Sequence, residues 1–371
     1  MLSAEIVVLG AGYAGLSAAK HFARSRHRTS VTVVNPRADF VERIRLHQFM
    51  AENHPAVKPL RELLPPSAKL IVDAAVTVDS RNQQLHMTSG DVIAYDYLVY
   101  AVGSRTRSDA IPGVAEHAVT VGSWDAACVA HQRLQALSPT AIVTVIGGGL
   151  TGIETAAELA ELGTVAVRLV TSGELGTTLS ARARAQLRSH FSAAGVHVIE
   201  HSSVAEIREG KVALADGTVL SSDLTVVAAA FAPPELAQDS GLDVDAAGAL
   251  RVDDALVSVT SPRIIGAGDA AVLSERPLRM SCQAATPSGV HAADTILRLL
   301  AGRPPRPVRR KFVGHGISLG RHNALFQFTT LGDQPLRHAV MAGRLAAFGK
   351  EQICRITLRF GRIGPISFSW S

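Results

Sequence analysis

Cysteine is scarce in this 371-residue chain: Cys128, Cys282 and Cys354 are the whole set. Their spacing gives no CxxC pair and no zinc-ligand pattern, so a vicinal redox dithiol and a structural zinc site are excluded and no metal is expected. An odd, sparse set suits a reducing compartment, and the plainest reading is three inert buried thiols. Long apolar runs are missing as well. The longest, such as Leu224 to Ala232, fall far short of a membrane span. The start lacks the basic-then-apolar layout and cleavage site of a signal peptide, so a cytoplasmic protein is the default expectation. Low-complexity tracts are absent, and the length suits two or three domains with sizeable cores.

Charge is present but unevenly spread. The chain carries a net +5, yet residues 303–371 alone hold 12 Lys and Arg against Asp333 and Glu351. A mildly acidic body therefore carries a strongly basic tail, for which nucleic acid and anionic membrane are the two obvious partners.

Glycine falls in a pattern. "EIVVLGAGYAGLSAA" places Gly10, Gly12 and Gly15 as G-x-G-x-x-G directly after an apolar strand and ahead of an amphipathic helix. The first glycine permits the tight turn, the second lets backbone approach a pyrophosphate, and the third lets helix and strand pack closely. The next strand, "SVTVVN", should end in an acid that bonds the adenosine ribose; it ends in Asn35, whose amide can still bond a hydroxyl. A second copy, "AIVTVIGGGLTGIETAAELAEL", repeats the spacing with Gly147, Gly149 and Gly152, and its following strand ends in Thr171-Ser172. No acid there repels a ribose 2′-phosphate. The nearest is Glu174, and Arg182 and Arg184 could reach back from the next helix, so use of both NADH and NADPH with a modest lean to NADPH is expected.

Two further segments complete the order. "YDYLVYAVGS" is a strand ending at Ala101 and Gly103, and "SPRIIGAGDAAV" runs into Gly268-Asp269. The sequence G-x-G-x-x-G, strand-A-x-G-S, G-x-G-x-x-G, strand-G-x-G-D resembles the two-dinucleotide flavoproteins of the pyridine nucleotide–disulfide oxidoreductase superfamily, over nearly the whole chain. The resemblance implies FAD, held non-covalently, in the first cradle and NADH or NADPH in the second. It places Gly10, Gly12, Tyr13, Ala14, Gly15, Asn35, Val76, Ala101, Gly103, Gly268 and Asp269 against FAD, and Gly147, Gly149, Gly152, Thr171 and Ser172 against the nicotinamide dinucleotide.

The disulfide-reducing members carry a redox Cys pair shortly after the first unit. Here Asn35 to Pro55 contains none, which argues against disulfide reduction of that type. In the same stretch "ERIRLHQ" resembles the "ERPPLSK" of the ferredoxin-reductase branch. Arg43 then matches an FAD-contacting Arg, and Gln48 replaces a Lys near flavin N5. The competing reading of this segment is a solvated helix. Glu154, two residues past Gly152, matches a Glu directed at the nicotinamide–flavin junction, and it also suits the positive end of its helix.

Past residue 302, "FVGHGISLGRHNALF" resembles a hairpin of type II NADH:quinone oxidoreductases and of the apoptosis-inducing-factor-like ferroptosis suppressor. "SCQAATPSG" resembles their segment under the isoalloxazine, with Gln283 and Ala284 placed at the flavin and the quinone pocket and Pro287 replacing a second Gln. Farther on, Met341, Leu345, Phe348, Ile353, Ile356, Leu358 and Phe360 are interleaved with Arg337, Arg344, Lys350, Arg355, Arg359 and Arg362. A basic amphipathic segment suits an anionic membrane surface; packing on the protein's own core or at a homodimer interface is the alternative. Without an aromatic stacking platform, nucleic acid is disfavoured.

The expected fold is α/β: two Rossmann-like dinucleotide-binding domains, for FAD (1–112 and 247–302) and NAD(P)H (113–246), plus a small basic C-terminal α+β module (303–371). The implied activity is FAD-dependent NAD(P)H oxidation. Hydride passes to flavin, electrons pass on to a quinone-type acceptor, and Glu154, Gln48 and Gln283 are the candidate catalytic residues. A ferredoxin or rubredoxin reductase, and a redox-responsive flavoprotein that does not turn over, are the alternatives. The expected location is the cytoplasm, with peripheral attachment to the inner membrane face left open.

Overall fold

The computed structural model describes residues 3–107, 111–273, 278–357 and Trp370. Two parallel five-stranded sheets form its body. In the first, Ala4–Leu9 lies at the centre, with Thr29–Asn35 and Ala68–Val72 on one side and Tyr97–Tyr100 and Ile264–Gly266 on the other. In the second, Ile142–Ile146 is central, flanked by Ala166–Val170 and His197–Ile199, and by Leu224–Val227 and Ala118–Thr120. Four strands are arranged alike in the two units, but the fifth, at the edge, follows the others in the chain in the first unit (Ile264–Gly266) and precedes them in the second (Ala118–Thr120). Each also carries a three-stranded antiparallel meander: Ala75–Asp79, Gln84–Met87 and Val92–Ala94 in one, Val204–Arg208, Lys211–Leu214 and Val219–Ser221 in the other.

Burial explains the strand sequences. Ile6, Val7, Val8 and Leu9 are all buried, as are Val143, Val145 and Ile146, because a parallel sheet is covered on both faces and reads as a continuous apolar run. Register then places the functional loops. Leu9 lies beside Val34 and Tyr100, and Tyr100 beside Gly266. The strand ends are level, so the turns beginning at Gly10, Asn35, Ala101 and Ala267 gather along one edge, where open α/β sheets bind ligands. In the second sheet Ile146 lies beside Val170 and Val227 and does the same for Gly147, Thr171 and Ala228.

The helix Cys282–Leu300 lies across the helix Tyr13–Phe22 at one close crossing. A Cβ on Gly289 would sit 2.0 Å from the Ala14 carbonyl oxygen, so only glycine permits the approach. Past it, Gly314–Ser318, Ala324–Thr329 and Pro335–Ala342 form an antiparallel sheet, followed by the helix Arg344–Thr357. Trp370 is buried edge-on against Phe312. Leu358, Arg359, Phe360 and Arg362 of the basic stretch lie outside the described residues. Among those described, no helix is long and apolar enough to cross a membrane.

Candidate active site

The six motif glycines divide into two kinds. A Cβ on Gly10 would meet the Ala101 carbonyl oxygen at 2.3 Å, and one on Gly15 would meet that of Gly10 at 1.8 Å. Gly147 and Gly152 repeat this against Ala228 (2.9 Å) and Gly147 itself (1.9 Å). These four serve chain packing, and Gly10 and Gly147 also adopt positive φ. The middle glycines differ: beyond Gly12 and Gly149 nothing lies within 4 Å. That space opens at the N-terminus of Tyr13–Phe22 in one unit and of Leu150–Leu162 in the other, with no side-chain cap and no acid in either first turn. Uncapped amides facing an open cradle fit a pyrophosphate, and a side chain at either position would fill it.

Around the first cradle, the Asn35 side chain fixes the loop. Its Oδ1 accepts from the Ala11 N–H at 3.0 Å and its Nδ2 donates to the Arg37 carbonyl at 2.8 Å. The acceptor oxygen expected at a ribose hydroxyl is thus engaged with the loop. Tyr13 packs edge-on against Phe40, and Ala14 is buried under Gly268 and Gly289. Arg43 and Asp269 come together. Arg43 donates to Ser104 Oγ at 3.0 Å, Ser104 Oγ donates to Asp269 at 2.8 Å, and Arg43 lies 3.7 Å from the Asp269 carboxylate beside Gly103. Burial lowers the Arg43 pKa, against the pull of Asp269. Val76 stands apart, half exposed on the peripheral meander.

The two glutamines are each held by an arginine that sequence reasoning missed. Gln48, 2% exposed, accepts from Arg45 Nη1 at 2.9 Å. Gln283 accepts from Arg279 Nη2 at 2.6 Å, and Arg279 in turn stacks on Phe312 and pairs with Asp333 at 3.1 Å. Pro287, inside that helix, removes the amide that would bond the Gln283 backbone carbonyl. Ala284 is buried with Phe312 and Trp370. Glu42 and Arg45 are buried too, so Glu42 to Gln48 is no solvated helix.

Arg45 ties the first cradle's domain to the C-terminal helix. It bonds Glu42 at 3.1 Å and grips both oxygens of Glu351 at 2.9 and 3.0 Å. Burial works against the Glu351 charge, yet its bonds to Arg45 and Arg355 hold the carboxyl at about 2. Burial pushes Glu42 up, since it shares that one guanidinium.

Glu154 is the meeting point. Its Oε1 accepts from the Ser318 N–H at 2.9 Å and lies 3.1 Å from Lys350 Nζ, which also donates to the Gly316 carbonyl at 2.7 Å. Burial would raise the Glu154 pKa, but Lys350, His47 and the Ser318 amide outweigh it and the pKa is lowered. Burial holds His47 neutral, at about 4. Lys350 is raised, because Glu154 overcomes its burial. The sequence places Lys350 among the interleaved cations of the basic tail; in the structure it turns inward. The reason lies on the helix Leu150–Leu162, where Glu154, Glu158 and Glu161 share one face at helical spacing. Each takes a partner from the C-terminal module: Lys350 and Ser318 for Glu154, the Arg321 side chain for Glu158, the Arg321 amide for Glu161. The "SLGR" hairpin is therefore seated by charge on the second cradle's helix.

At the far end of the second cradle, Thr171 is buried against Gly148, where a Cβ would lie 2.4 Å from Thr171 Oγ1, and Ser172 is exposed. The three cysteines are free thiols. Burial raises the pKa of each, Cys282 to about 11.

Two open phosphate cradles, and the Arg43–Ser104–Asp269 cluster at the edge of the first sheet, describe a two-dinucleotide flavoprotein. The model of the pyridine nucleotide-disulphide oxidoreductase family matches residues 4–289, and the chain belongs to that family. FAD and NAD(P)H are its cofactors. An NADH dehydrogenase-like protein of Mycobacterium tuberculosis is 30% identical over 348 residues, 87% of each chain. A demethylphylloquinone reductase of Synechocystis is 25% identical, covering 86% of each. The crystal structure of the sulfide:quinone oxidoreductase from Aquifex aeolicus superposes with a TM-score of 0.83 at 18% identity, over 98% of this chain and 93% of that one. The chain is thus an NAD(P)H-dependent flavin oxidoreductase of the NADH dehydrogenase and quinone reductase type.

Proposed function

We propose that this chain is an NAD(P)H:quinone oxidoreductase that works at an anionic membrane surface without a redox-active disulfide. The observation that carries the reading is the two-faced helix Arg344–Thr357. Its inner face delivers Lys350 to Glu154 and Glu351 to Arg45. Its outer face leaves Leu345 79%, Phe348 66% and Ile353 43% exposed, beside Phe328, Leu336 and Met341 of the adjoining sheet. So much apolar surface in one module marks a docking site. Arg337, Arg344 and Arg355 are exposed with it, and such a face suits lipid acyl chains and phosphates. A quinone is an apolar acceptor that partitions into that layer. The Synechocystis relative, whose name is that of a quinone reductase, supports this choice.

Bound FAD supplies the hydride acceptor and the store for two electrons. The Gly10–Gly15 and Gly147–Gly152 loops would hold the two pyrophosphates, and Arg43, Asp269 and the arginine-fixed Gln48 and Gln283 would orient the flavin end. Reduction of a quinone to a quinol takes up one proton beyond the hydride. Lys350 holds a proton at Nζ, next to Glu154, inside the site. The reading assigns no step to cysteine: all three are free thiols, and burial raises the pKa of each.

Steady-state assays with a soluble short-chain quinone and with ferredoxin test this directly. Turnover with the quinone at least about tenfold above that with ferredoxin is expected, with salt-sensitive binding to anionic vesicles and weak binding to neutral ones. Faster turnover with ferredoxin would refute the acceptor. Equal binding to both vesicles, or none, would refute the docking.

A further inference from the structure

The strand Ala166–Val170 ends at Thr171-Ser172, where a dinucleotide fold meets the adenosine ribose. The following loop is pinned to the second cradle: the Gly176 N–H donates to the Gly148 carbonyl at 2.9 Å, and the Leu175 N–H donates to Glu200 at 2.6 Å. Within this loop Glu174 faces the helix Ala181–Ala193. Its carboxylate lies 3.0 Å from Arg184 and 3.9 Å from Arg188. Arg184 also donates to the Leu179 carbonyl at 3.0 Å. Arg188 grips Glu200 through two bonds of 2.8 Å, which hold the Glu200 pKa down and the Arg188 pKa up. Arg184 and Arg188 stand four apart and share one helix face; Arg182 is exposed and lies off it. Two carboxylates thus balance two guanidiniums, and both guanidiniums are engaged.

That balance decides between the two nicotinamide cofactors. A ribose 2′-phosphate is a dianion that wants a fixed cation, ideally a guanidinium in bidentate contact. For Arg184 to give one it would have to leave Glu174 and the Leu179 carbonyl. A ribose hydroxyl makes no such demand.

We propose that Glu174 determines nicotinamide specificity: from the loop that follows the strand Ala166–Val170 it engages Arg184, denies a guanidinium to the 2′-phosphate and selects NADH. Glu174 is a positioning residue, acting through Arg184. The inference rests on the oxidoreductase reading but not on the identity of the acceptor. It revises the lean to NADPH that the bare Thr171-Ser172 strand end suggests.

The test reads the half-reaction and the subsite separately. Anaerobic reduction of the bound flavin by NADH and by NADPH needs no acceptor. Calorimetric titration with 5′-AMP and with adenosine 2′,5′-bisphosphate reads the ribose site without turnover. The wild type is expected to favour NADH in reduction efficiency by about tenfold or more, and to bind the bisphosphate no tighter than 5′-AMP. Glu174→Gln should raise NADPH efficiency by about tenfold, through tighter binding rather than a faster limiting rate, and should tighten the bisphosphate alike. Glu174→Asp should keep the native preference, and Arg184→Met in the Glu174→Gln background should erase the gain. A native preference for NADPH, or a ratio and bisphosphate affinity in Glu174→Gln within twofold of wild type, would overturn the inference. Failure of Arg184→Met to reverse the gain would do the same. Absence of flavin reduction by either nucleotide would instead remove the oxidoreductase reading beneath it.

Discussion

Replacing Lys350 with Met should destabilise the protein by an amount that grows as pH rises. In the native structure Glu154 Oε1 has two partners, the Lys350 ammonium at 3.1 Å and the Ser318 amide at 2.9 Å. Because its folded pKa is lowered, Glu154 contributes stability that is present above its unfolded pKa and is lost only as pH falls through the lower folded value. Removing Lys350 leaves a buried carboxylate with one amide, and the Gly316 carbonyl loses its donor. Burial then dominates and the Glu154 pKa rises above its unfolded value. Breaking a buried pair this way costs about 3–5 kcal/mol. The charge part is capped, because the carboxyl can protonate. At about pH 7.5, some three units above an ordinary Glu, that cap is ~4 kcal/mol; at about pH 5 it shrinks to ~1 kcal/mol. Buried His47, held at about 4, stays neutral across this window. Urea unfolding with saturating FAD, followed by circular dichroism, should therefore show Lys350→Met destabilised by about 3 kcal/mol more at the higher pH than at the lower. The Lys350→Met, Glu154→Gln pair should regain most of the loss. A destabilisation equal at both pH values, or below ~1 kcal/mol at each, would refute the reasoning.

Gly12→Val should fold but purify without flavin, because its side chain enters open space, whereas Gly15→Ala should fail to fold, because its Cβ meets the Gly10 carbonyl oxygen at 1.8 Å; absorbance at the flavin band and circular dichroism separate the two. Glu351→Gln strips Arg45 of its bidentate partner and should lower stability by about 1–3 kcal/mol at neutral pH, with the loss absent near pH 2, where the native carboxyl itself protonates. Leu345→Glu with Phe348→Glu should leave soluble NAD(P)H oxidation intact but abolish sedimentation with anionic vesicles, since both side chains point outward.

Much of the fold was legible because its rules are local. The glycine spacings, the apolar strands before them and the strand ends at Asn35 and Thr171 each follow from one βαβ unit. The sheets place Gly10, Ala101 and Ala267 together as that pattern requires. Arg43 and Asp269 were found by resemblance, and the structure brings them together through Ser104. Arg45, Arg279, Arg321 and the inward turn of Lys350 were not legible, because their partners lie far off in sequence. Arg45 and Glu351 are 306 residues apart, and Arg321 and Glu158 are 163 apart. No period or spacing encodes such pairs. One signal was available: Glu154, Glu158 and Glu161 on one face of a cradle helix are too many carboxylates to leave unpaired beside a dinucleotide.

The inward face of the helix Arg344–Thr357 also sets a timetable for biosynthesis. Arg45 and Glu42 leave the ribosome early, but Glu351 follows only after some 300 further residues, about 15–60 s later at ordinary rates of synthesis. Until then the first cradle exists without its clamp, and Glu154 without its cation. A nascent or prematurely stopped chain can thus build the nucleotide-binding sheets yet leave the charges of Arg45 and Glu154 unbalanced. Only a chain that extends through the helix Arg344–Thr357 supplies Arg45 with its carboxylate partner and Glu154 with its cation.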